Sequence, residues 1–196
     1  HSQSATNGKQ GSHPLTMGVS VYRKAKANTY VNPQHERMVS FCVKNYQQLN
    51  GKTYKWRDKP MCIIAIKSAG TAVDWTILDN CEVANPDGAG YAYVRGDEVV
   101  IRKGFFDNET MLKALDNERI DQTETEIMFH FRIATHGKVA PATCHPFPMS
   151  ENRKALCELD TTASMAVAHN GVIPFMPKDK MLSDTMQYIL LYLAPL

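Results

Sequence analysis

The segment Asn85-Pro-Asp-Gly-Ala-Gly-Tyr-Ala-Tyr-Val-Arg-Gly-Asp-Glu-Val-Val-Ile-Arg-Lys103 decides the fold class. It opens with a glycine-rich turn. Two runs follow, Tyr91–Val94 and Glu98–Lys103, separated only by residues 95–97. Aromatic and β-branched residues bounded by Gly and Asp are typical of strands. A short connection that contains Gly between two such runs predicts an antiparallel β-hairpin.

Other segments on both sides of this hairpin also have strand or helix patterns. Three buried strands are predicted from apolar runs: Cys62–Ile66, Ile127–Ala134 and Met165–His169. Three helices are predicted from apolar spacing and end signals: Thr71–Asn80, one that starts over Thr110–Leu115, and Ser183–Leu193. This order of elements favours an α+β fold in which helices are layered on antiparallel sheet.

The first sixty residues have a different character. Residues 1–18 are rich in Ser, Gly, Asn, Gln and Thr, which is typical of flexible or extended chain. Pro33–Leu49 has one apolar face at helical spacing, so an amphipathic helix is predicted there. Asn32 is its expected N-cap, and residues 50–51, Asn-Gly, are expected to end it. The segment that follows, Lys52–Pro60, is predicted to be a basic connector.

Charge divides the chain at the same place. Residues 1–60 carry ten Lys or Arg against two Asp or Glu, a net charge of +8, whereas the remainder carries twelve against eighteen, a net charge of −6. The simpler interpretation is a solvated basic extension that packs on its own acidic domain. The alternative is that the extension contacts nucleic acid or another protein.

Composition limits the class of protein. The chain has 196 residues, 43% hydrophobic and 21% charged, which suits one globular domain or one domain with an appendage. No apolar run approaches the roughly 20 residues of a membrane helix, so no membrane partner is expected. The five cysteines, irregularly spaced and without a CxxC pair, indicate a reducing compartment, and a cytoplasmic location is predicted.

Several residues are candidates for chemistry, although each taken alone has a simpler structural explanation. Cys62 opens a buried strand, where a cysteine is usually a core residue. His130 and Arg132 alternate along a strand and therefore share one face. Residues 170–171, Asn-Gly, follow a strand as a turn commonly does. Asp184 stands near a helix start, where it is usually a cap or a partner of the helix dipole.

Taken together and in order, these residues resemble the glutaminase domain of the class II, or N-terminal-nucleophile, glutamine amidotransferases, and the stand-alone members in particular. The resemblance starts at Met61 and runs to Thr185. It rests on six ordered motifs: Met61-Cys-Ile-Ile-Ala65, Asn85-Pro-Asp-Gly-Ala-Gly-Tyr-Ala-Tyr93, Phe129-His-Phe-Arg-Ile-Ala-Thr-His-Gly137, Cys144-His-Pro-Phe147, Ala168-His-Asn-Gly-Val172 and Ser183-Asp-Thr185. It implies the four-layer αββα sandwich of the N-terminal-nucleophile hydrolases.

The resemblance also implies a reaction. An N-terminal Cys62 would attack the side-chain amide of glutamine, and its free α-amine, with a reference pKa near 8, would handle the proton. Asn170 and Gly171 would form the oxyanion hole. Ammonia would leave, and water or a second acceptor would resolve the thioester. The family implies no cofactor.

Substrate recognition follows from charge. By resemblance, Arg132 would bind the carboxylate of glutamine through its planar guanidinium, and Asp184 would pair with the ammonium. The backbone near Gly88, Thr135 and His136 would shape the rest of the pocket. The histidines at 130, 136, 145 and 169 raise the alternative of a metal site, but their spacing matches no zinc signature and no carboxylate accompanies them.

The upstream segment departs from the family, because Cys62 has a free amine only if the Met61–Cys62 bond is cut. Residues 1–61 are therefore predicted to be a basic extension or prosegment. Three accounts stay open: a prosegment that is cleaved and stays bound, a segment from another polypeptide, or an attached extension that leaves the fold inactive. Residues 62–196 are predicted to be a glutaminase-like domain that lacks C-terminal strands found in relatives.

Two rival functions remain. One is hydrolysis of another γ-glutamyl amide by the same chemistry, and the other is a catalytically silent structural or interaction protein that keeps the fold. If the chain is active, glutamine or a γ-glutamyl compound is the expected substrate. A synthase or acceptor protein is then a candidate partner, because the sequence contains no motif for an ammonia acceptor site.

Overall fold

The structure, a computed structural model, describes residues 19–23, 48–49, 52–53, 61–134, 138–171, 173, 179 and 181–196. Within these ranges the chain is α+β, with antiparallel sheets and a few helices, as the sequence predicts. The described strands are β1 (Val19–Arg23), β2 (Gln48–Leu49), β3 (Lys52–Thr53), β4 (Ile63–Lys67), β5 (Ala89–Arg95), β6 (Glu98–Phe105), β7 (Ile127–Phe131), β8 (Phe147–Pro148), β9 (Asp160–Ala163) and β10 (Met165–His169). The described α-helices are α1 (Trp75–Ala84), α2 (Asn108–Asn117), α3 (Arg153–Cys157) and α4 (Asp184–Tyr188).

The larger sheet in the described ranges has the strand order β4-β7-β5-β6-β9, and every neighbouring pair is antiparallel. The predicted hairpin is β5 and β6, closed by the pair Arg95 and Glu98. Phe131, at the end of β7, pairs with Ile63 on one side and with Ala89 on the other. The register therefore brings the start of β4, the end of β7 and the start of β5 together, at one end of these three neighbouring strands.

Helices α1 and α2 cover one face of this sheet. Each begins at an aspartate whose carboxylate accepts a backbone N–H of the first turn, Asp74 from Ile77 and Asp107 from Thr110. Their buried side chains, among them Leu78 and Met111, pack against the larger sheet. The sheet contributes Tyr91, Tyr93, Val100, Ile127, Phe129 and Phe131 to this cluster.

A smaller sheet has the order β1-β10-β8. Ala166 and Ala168 of β10 pack against the other face of the larger sheet, on Ala92, Ile101 and Met128 among others. On its opposite side the smaller sheet packs against α3 and α4. Leu156, Met186 and Ile189 lie there with Phe147 and Val167. Because successive side chains of β10 point to opposite faces, this strand makes apolar contacts both with the larger sheet and with the cluster around α3 and α4.

The predicted positions of several elements need correction. The helix expected over Thr71–Asn80 runs instead from Trp75 to Ala84, because Asp74 caps its first turn whereas the Thr71 hydroxyl donates to the Ser68 carbonyl in a preceding turn. The helix expected over Ser183–Leu193 is α-helical only to Tyr188 and continues as a π-helical turn, Ile189–Leu193. Strands β8 and β9 and helix α3 are short and were not predicted.

The extension also differs from expectation where it is described. The predicted helix ran to Leu49, but Gln48–Leu49 is a strand paired with Lys52–Thr53, within the supposed connector. The residues between these strands in sequence are Asn and Gly, the pair most typical of two-residue hairpin connections. Strand β1, which was not predicted, pairs with β10 from Val19 opposite His169 to Arg23 opposite Met165. The rest of the predicted helix, residues 33–47, and the segment 1–18 lie outside the described residues.

Helix length also bears on membranes. Within the described ranges, none of the helices combines the length and the apolar character needed to cross a bilayer.

Candidate functional site

A cleft opens at the edge of the larger sheet where β4 begins and β7 ends. It contains about 310 Å³ of empty space, part of it open to solvent. Four of the predicted site residues line it, and each comes from a different segment of the chain: Cys62, Arg132, Gly171 and Asp184. The remaining lining residues are Ile133, His145, His169, Ser183 and Thr185.

The Cys62 thiol is held against the backbone of Ile133. Its sulfur accepts the Ile133 N–H at 3.5 Å and lies 3.6 Å from the Ile133 carbonyl oxygen, to which the thiol donates. Burial raises the pKa of this thiol above its ordinary value. The hydrogen bond from Ile133 and the charge of Arg132 oppose that rise, whereas the charge of Asp184 adds to it. The thiol is therefore mostly protonated at neutral pH.

Arg132 is buried directly after β7, and neighbouring backbone fixes its position. Its N–H donates to the Gly88 carbonyl at 2.8 Å, and its own carbonyl accepts the Asp87 N–H at 3.1 Å. The Asp87 carboxylate in turn accepts the N–H of Ala134 at 2.8 Å. The guanidinium donates to the Lys138 carbonyl at 3.2 Å. These hydrogen bonds to the turn at residues 85–90 fix the backbone at the end of β7, and Arg132, which follows that strand, lines the cleft.

Asp184 enters the cleft from the first turn of α4. Ser183 caps this helix by accepting the Met186 N–H. The Asp184 carboxylate accepts the N–H of Thr185 at 2.8 Å and that of Ile173 at 3.0 Å. These bonds orient a half-buried negative charge toward the cleft that the Arg132 cation also lines. Opposite charges in one small cleft are suited to a zwitterionic ligand.

Gly171 follows β10 with a φ of 139°, a conformation that favours glycine. A β-carbon at this position would lie 3.3 Å from the Nε2 atom of His169, so the residue also keeps the cleft clear of a side chain. Asn170 is half-buried beside it but does not line the cleft. Its Oδ1 atom is buried and has no hydrogen-bond partner among the described residues.

Three buried histidines lie at the cleft, and two of them, His145 and His169, line it. The rings of His130 and His145 stack with 4.2 Å between centroids, and the Nε2 atom of His130 lies 3.2 Å from the carbonyl oxygen of His169. Burial lowers the pKa of His130 to about 3 and lowers the pKa of His145 and His169 as well. All three are therefore neutral at neutral pH. In the described part of the chain, no group of three or more His, Cys, Asp or Glu side chains is arranged to hold a metal.

The structure places the other predicted residues as follows. Gly88 lies behind Arg132 and supports it through its carbonyl, rather than lining the cleft. Thr135 and His136 lie outside the described residues. No protein-family model, curated protein or solved structure matches the chain. The interpretation of the cleft therefore depends on its own geometry and on the motifs that meet there.

Sequence reasoning assigned no role to several residues that complete the site. Asn85 and Asp87 belong to the turn that was noted only for its glycines. Their polar side chains stand directly before a predicted strand, and that position could have marked them as candidates for the site. His145 was weighed only as a metal ligand. The contribution of Ile133 comes from its backbone, which side-chain patterns do not reveal.

Proposed function

We propose that the chain is a class II glutamine amidotransferase-type amide hydrolase that uses Cys62 to release ammonia from the side chain of glutamine. The observation that carries the proposal is the single cleft that gathers Cys62, Arg132, Gly171 and Asp184. A nucleophile, a cation and an anion around one cleft are groups that hydrolysis of a zwitterionic amide requires.

The proposed fold is the four-layer αββα sandwich. Three apolar clusters support it, since one lies between α1–α2 and the larger sheet, one between the two sheets, and one between the smaller sheet and α3–α4. This arrangement opens the cleft at the sheet edge where β4 begins. A nucleophile at the start of that strand can then be the first residue of a mature chain.

The proposed reaction begins with the amine of a freed Cys62 accepting the thiol proton. The sulfur attacks the amide carbon, and the Gly171 N–H stabilises the developing oxyanion. The family resemblance adds the side-chain amide of Asn170, which neighbours Gly171 but does not line the cleft. Collapse breaks the C–N bond, and the ammonium form of the Cys62 amine returns the proton to the leaving ammonia. Water then adds to the thioester, which yields glutamate and restores the thiol.

Arg132 and Asp184 supply specificity in this proposal. The Arg132 guanidinium binds the α-carboxylate, and the Asp184 carboxylate binds the α-ammonium. A ligand that lacks the carboxylate or the ammonium loses its charge-assisted hydrogen bonds to Arg132 or to Asp184, respectively. We expect such a loss to cost about 1.5–3 kcal/mol, or roughly 10- to 150-fold in kcat/KM, because hydrogen bonds to charged groups have that value.

The test requires a defined N-terminus at Cys62. We would replace residues 58–61 by the factor Xa recognition sequence (Asp58→Ile, Lys59→Glu, Pro60→Gly, Met61→Arg), cut the full chain and measure ammonia release. Glutamine is compared with 4-aminobutanamide, which lacks the carboxylate, and with glutaric acid monoamide, which lacks the ammonium. Activity on glutamine that is lost in Cys62→Ala supports the proposal.

The two analogues test the roles of the charges. Arg132→Gln should remove the preference for glutamine over 4-aminobutanamide, and Asp184→Asn should remove the preference over glutaric acid monoamide. Activity on γ-glutamyl peptides with none on glutamine would move the assignment to another γ-glutamyl amide. A cut, folded protein that releases no ammonia from any of these compounds would contradict the proposal and favour a catalytically silent protein.

A further inference from the structure

His145 lines the cleft with an imidazole whose hydrogen-bonding capacity is unused within the described part of the chain. Both ring nitrogens are buried, and neither has a hydrogen-bond partner among the described residues. The residue as a whole is 5% exposed. A buried donor and acceptor are costly to leave unpaired, so an unpaired buried side chain at the wall of a cleft indicates a group that bonds to what the cleft takes up.

Packing holds this imidazole in place. One face stacks on the ring of His130 with 4.2 Å between centroids, and the ring meets that of Phe147 edge-on at 4.6 Å. On the backbone side, a β-carbon on Gly90 would lie 2.3 Å from the carbonyl oxygen of His145, so the glycine of β5 gives this backbone its room. The ring is therefore positioned through its faces, its edge and its backbone, while its nitrogens stay available to a ligand.

The ring is neutral at neutral pH. Burial lowers the pKa of His145 well below its ordinary value, and neighbouring positive groups, Lys103 and Arg132 among them, lower it further. A neutral imidazole has one N–H donor and one acceptor nitrogen. His145 can therefore donate a hydrogen bond to a ligand without adding a second positive charge next to Arg132.

His145 and His169 lie toward different ends of the cleft. Arg132 is among the charges that act on His145. His169 has its Nδ1 atom 3.4 Å from the Thr185 hydroxyl, and the charge of Asp184 opposes the lowering of its pKa by burial. His145 thus belongs to the cationic end. A carboxylate has about four acceptor sites, so an N–H beside the guanidinium can use one that Arg132 leaves open.

We propose that His145 is a further specificity-determining residue of the cleft, which donates one ring N–H to the carboxylate of the ligand beside Arg132. This inference rests on the proposed function, since it names a second group for the same substrate. A purely structural role for His145 makes a different prediction. If the ring only fills space between His130 and Phe147, its loss affects every ligand of the cleft alike.

The experiment measures binding without turnover, by calorimetry on the cut factor Xa variant that also carries Cys62→Ala. His145→Phe keeps a planar ring and removes both nitrogens. It should weaken binding of glutamine and glutaric acid monoamide by roughly 10- to 150-fold, the range for hydrogen bonds to charged groups, and leave 4-aminobutanamide unchanged. His130→Phe is the control, because His130 is also buried but does not line the cleft. It should change all three affinities by the same factor.

An equal effect of His145→Phe on all three ligands, or no effect on any, would overturn the inference. If His145→Phe does not fold, His145→Asn and His145→Gln replace it, because their amides lie near the positions of Nδ1 and Nε2. One of the two should keep the preference for ligands with a carboxylate and the other should lose it, whereas equal preferences would refute the role.

Binding and turnover separate this inference from the proposed function. Ammonia release from glutamine by the cut Cys62 chain, with an unchanged carboxylate preference in His145→Phe, would reject the role of His145 alone. Carboxylate binding that depends on His145, in a cut chain that releases no ammonia, would reject the proposed function alone.

Discussion

Gly88 and Cys144 are so close that a β-carbon on Gly88 would lie 2.3 Å from the Cys144 sulfur. Gly88 also has a φ of 118°, which L side chains rarely adopt. Its carbonyl accepts the N–H of Arg132 at 2.8 Å. The contact therefore couples the glycine-rich turn, the segment that contains Cys144 and the arginine of the cleft.

Gly88→Ala should lower the free energy of unfolding by about 2–4 kcal/mol, which combines overpacking with the cost of a positive φ. Gly96→Ala is the control, because Gly96 has a φ of 61° but nothing within 4 Å of its added β-carbon. It should lose only about 1 kcal/mol. Urea denaturation measures both. Equal losses of stability would show that the contact with Cys144 has no role. If the double variant Gly88→Ala with Cys144→Ala recovers part of the stability, the contact with Cys144 is confirmed as the cause.

The charges around Cys62 should control its reactivity. Arg132 lowers and Asp184 raises the pKa of a thiol whose burial already raises it. Below that pKa the thiolate fraction sets the alkylation rate. Asp184→Asn should therefore speed alkylation of Cys62 by iodoacetamide severalfold near pH 8, and Arg132→Gln should slow it.

The readout for this prediction is peptide mass spectrometry, because Cys81, Cys144 and Cys157 are also free thiols. Glu109→Gln, an exposed residue of α2, is the control and should leave the rate unchanged. An identical rate for the Asp184 and Arg132 variants would contradict the arrangement of charges in the cleft.

Lys103 should make stability depend on pH. It is 2% exposed, and burial lowers the pKa of its ammonium to about 7 from an ordinary value of 10.5. The unfolded chain therefore binds more protons than the folded chain between these values, so stability attributable to Lys103 rises with pH across that window. The rise is at most about 5 kcal/mol, at about 1.4 kcal/mol for each pKa unit.

Lys103→Met removes this titration. Its amine also donates to the carbonyls of Ala142 and Leu156 and lies 4.0 Å from the centroid of the Phe147 ring. The variant therefore has a different absolute stability, and the informative quantity is the difference between parent and variant at each pH. Urea denaturation from pH 7 to 10 should show that difference changing in favour of the parent as pH rises. A constant difference would refute the lowered pKa.

Loss of the side-chain charge should cost far more stability at Glu118 than at Glu109. The Glu118 carboxylate, 9% exposed, pairs with the Arg102 guanidinium at 2.6 Å and accepts the Tyr93 hydroxyl at 2.7 Å. Burial, together with the hydrogen bond and charge of Glu118, raises the pKa of Tyr93 to about 12. Glu109 pairs with Lys113 on an exposed helix surface.

Glu118→Gln should cost about 1.5–3 kcal/mol, the range for hydrogen bonds to charged groups. Glu109→Gln should stay within about 0.5 kcal/mol, as exposed pairs do. Thermal denaturation gives the stabilities, and ultraviolet titration should show a lower Tyr93 pKa in Glu118→Gln only. Similar effects of the two substitutions would mean that burial of Glu118 does not matter.

Local sequence signals predicted the elements well where pattern and capping agree. The hairpin of β5 and β6 and the strand over residues 165–169 follow from apolar runs bounded by turn residues. The strand predicted over residues 127–134 is present but ends at Phe131, so Arg132 follows it rather than lying on it. Helix α2 follows from its apolar spacing. The helix near residue 71 was misplaced because a cap at Asp74, rather than the start of the apolar pattern, sets where it begins.

The hairpin of β2 and β3 shows the limit of local signals. Asn-Gly ends helices and also connects strands, and only pairing between Leu49 and Lys52 decides between the two. The short strands β8 and β9 were also missed, because they too depend on pairing with a neighbouring strand. Two to four residues contain too little pattern to predict a strand, and it is the neighbouring strand that makes them part of a sheet.

The sequence by itself determined which residue types are present for chemistry at Cys62, Arg132, Gly171 and Asp184, and in what order. Only the tertiary structure decided that these four line one cleft, that Gly88 supports it from behind, and that Asn85 donates to the Met61 carbonyl. The physical reason is the register of β4, β7 and β5. It brings residues far apart in the chain to one sheet edge through backbone hydrogen bonds, which the pattern of side chains does not specify.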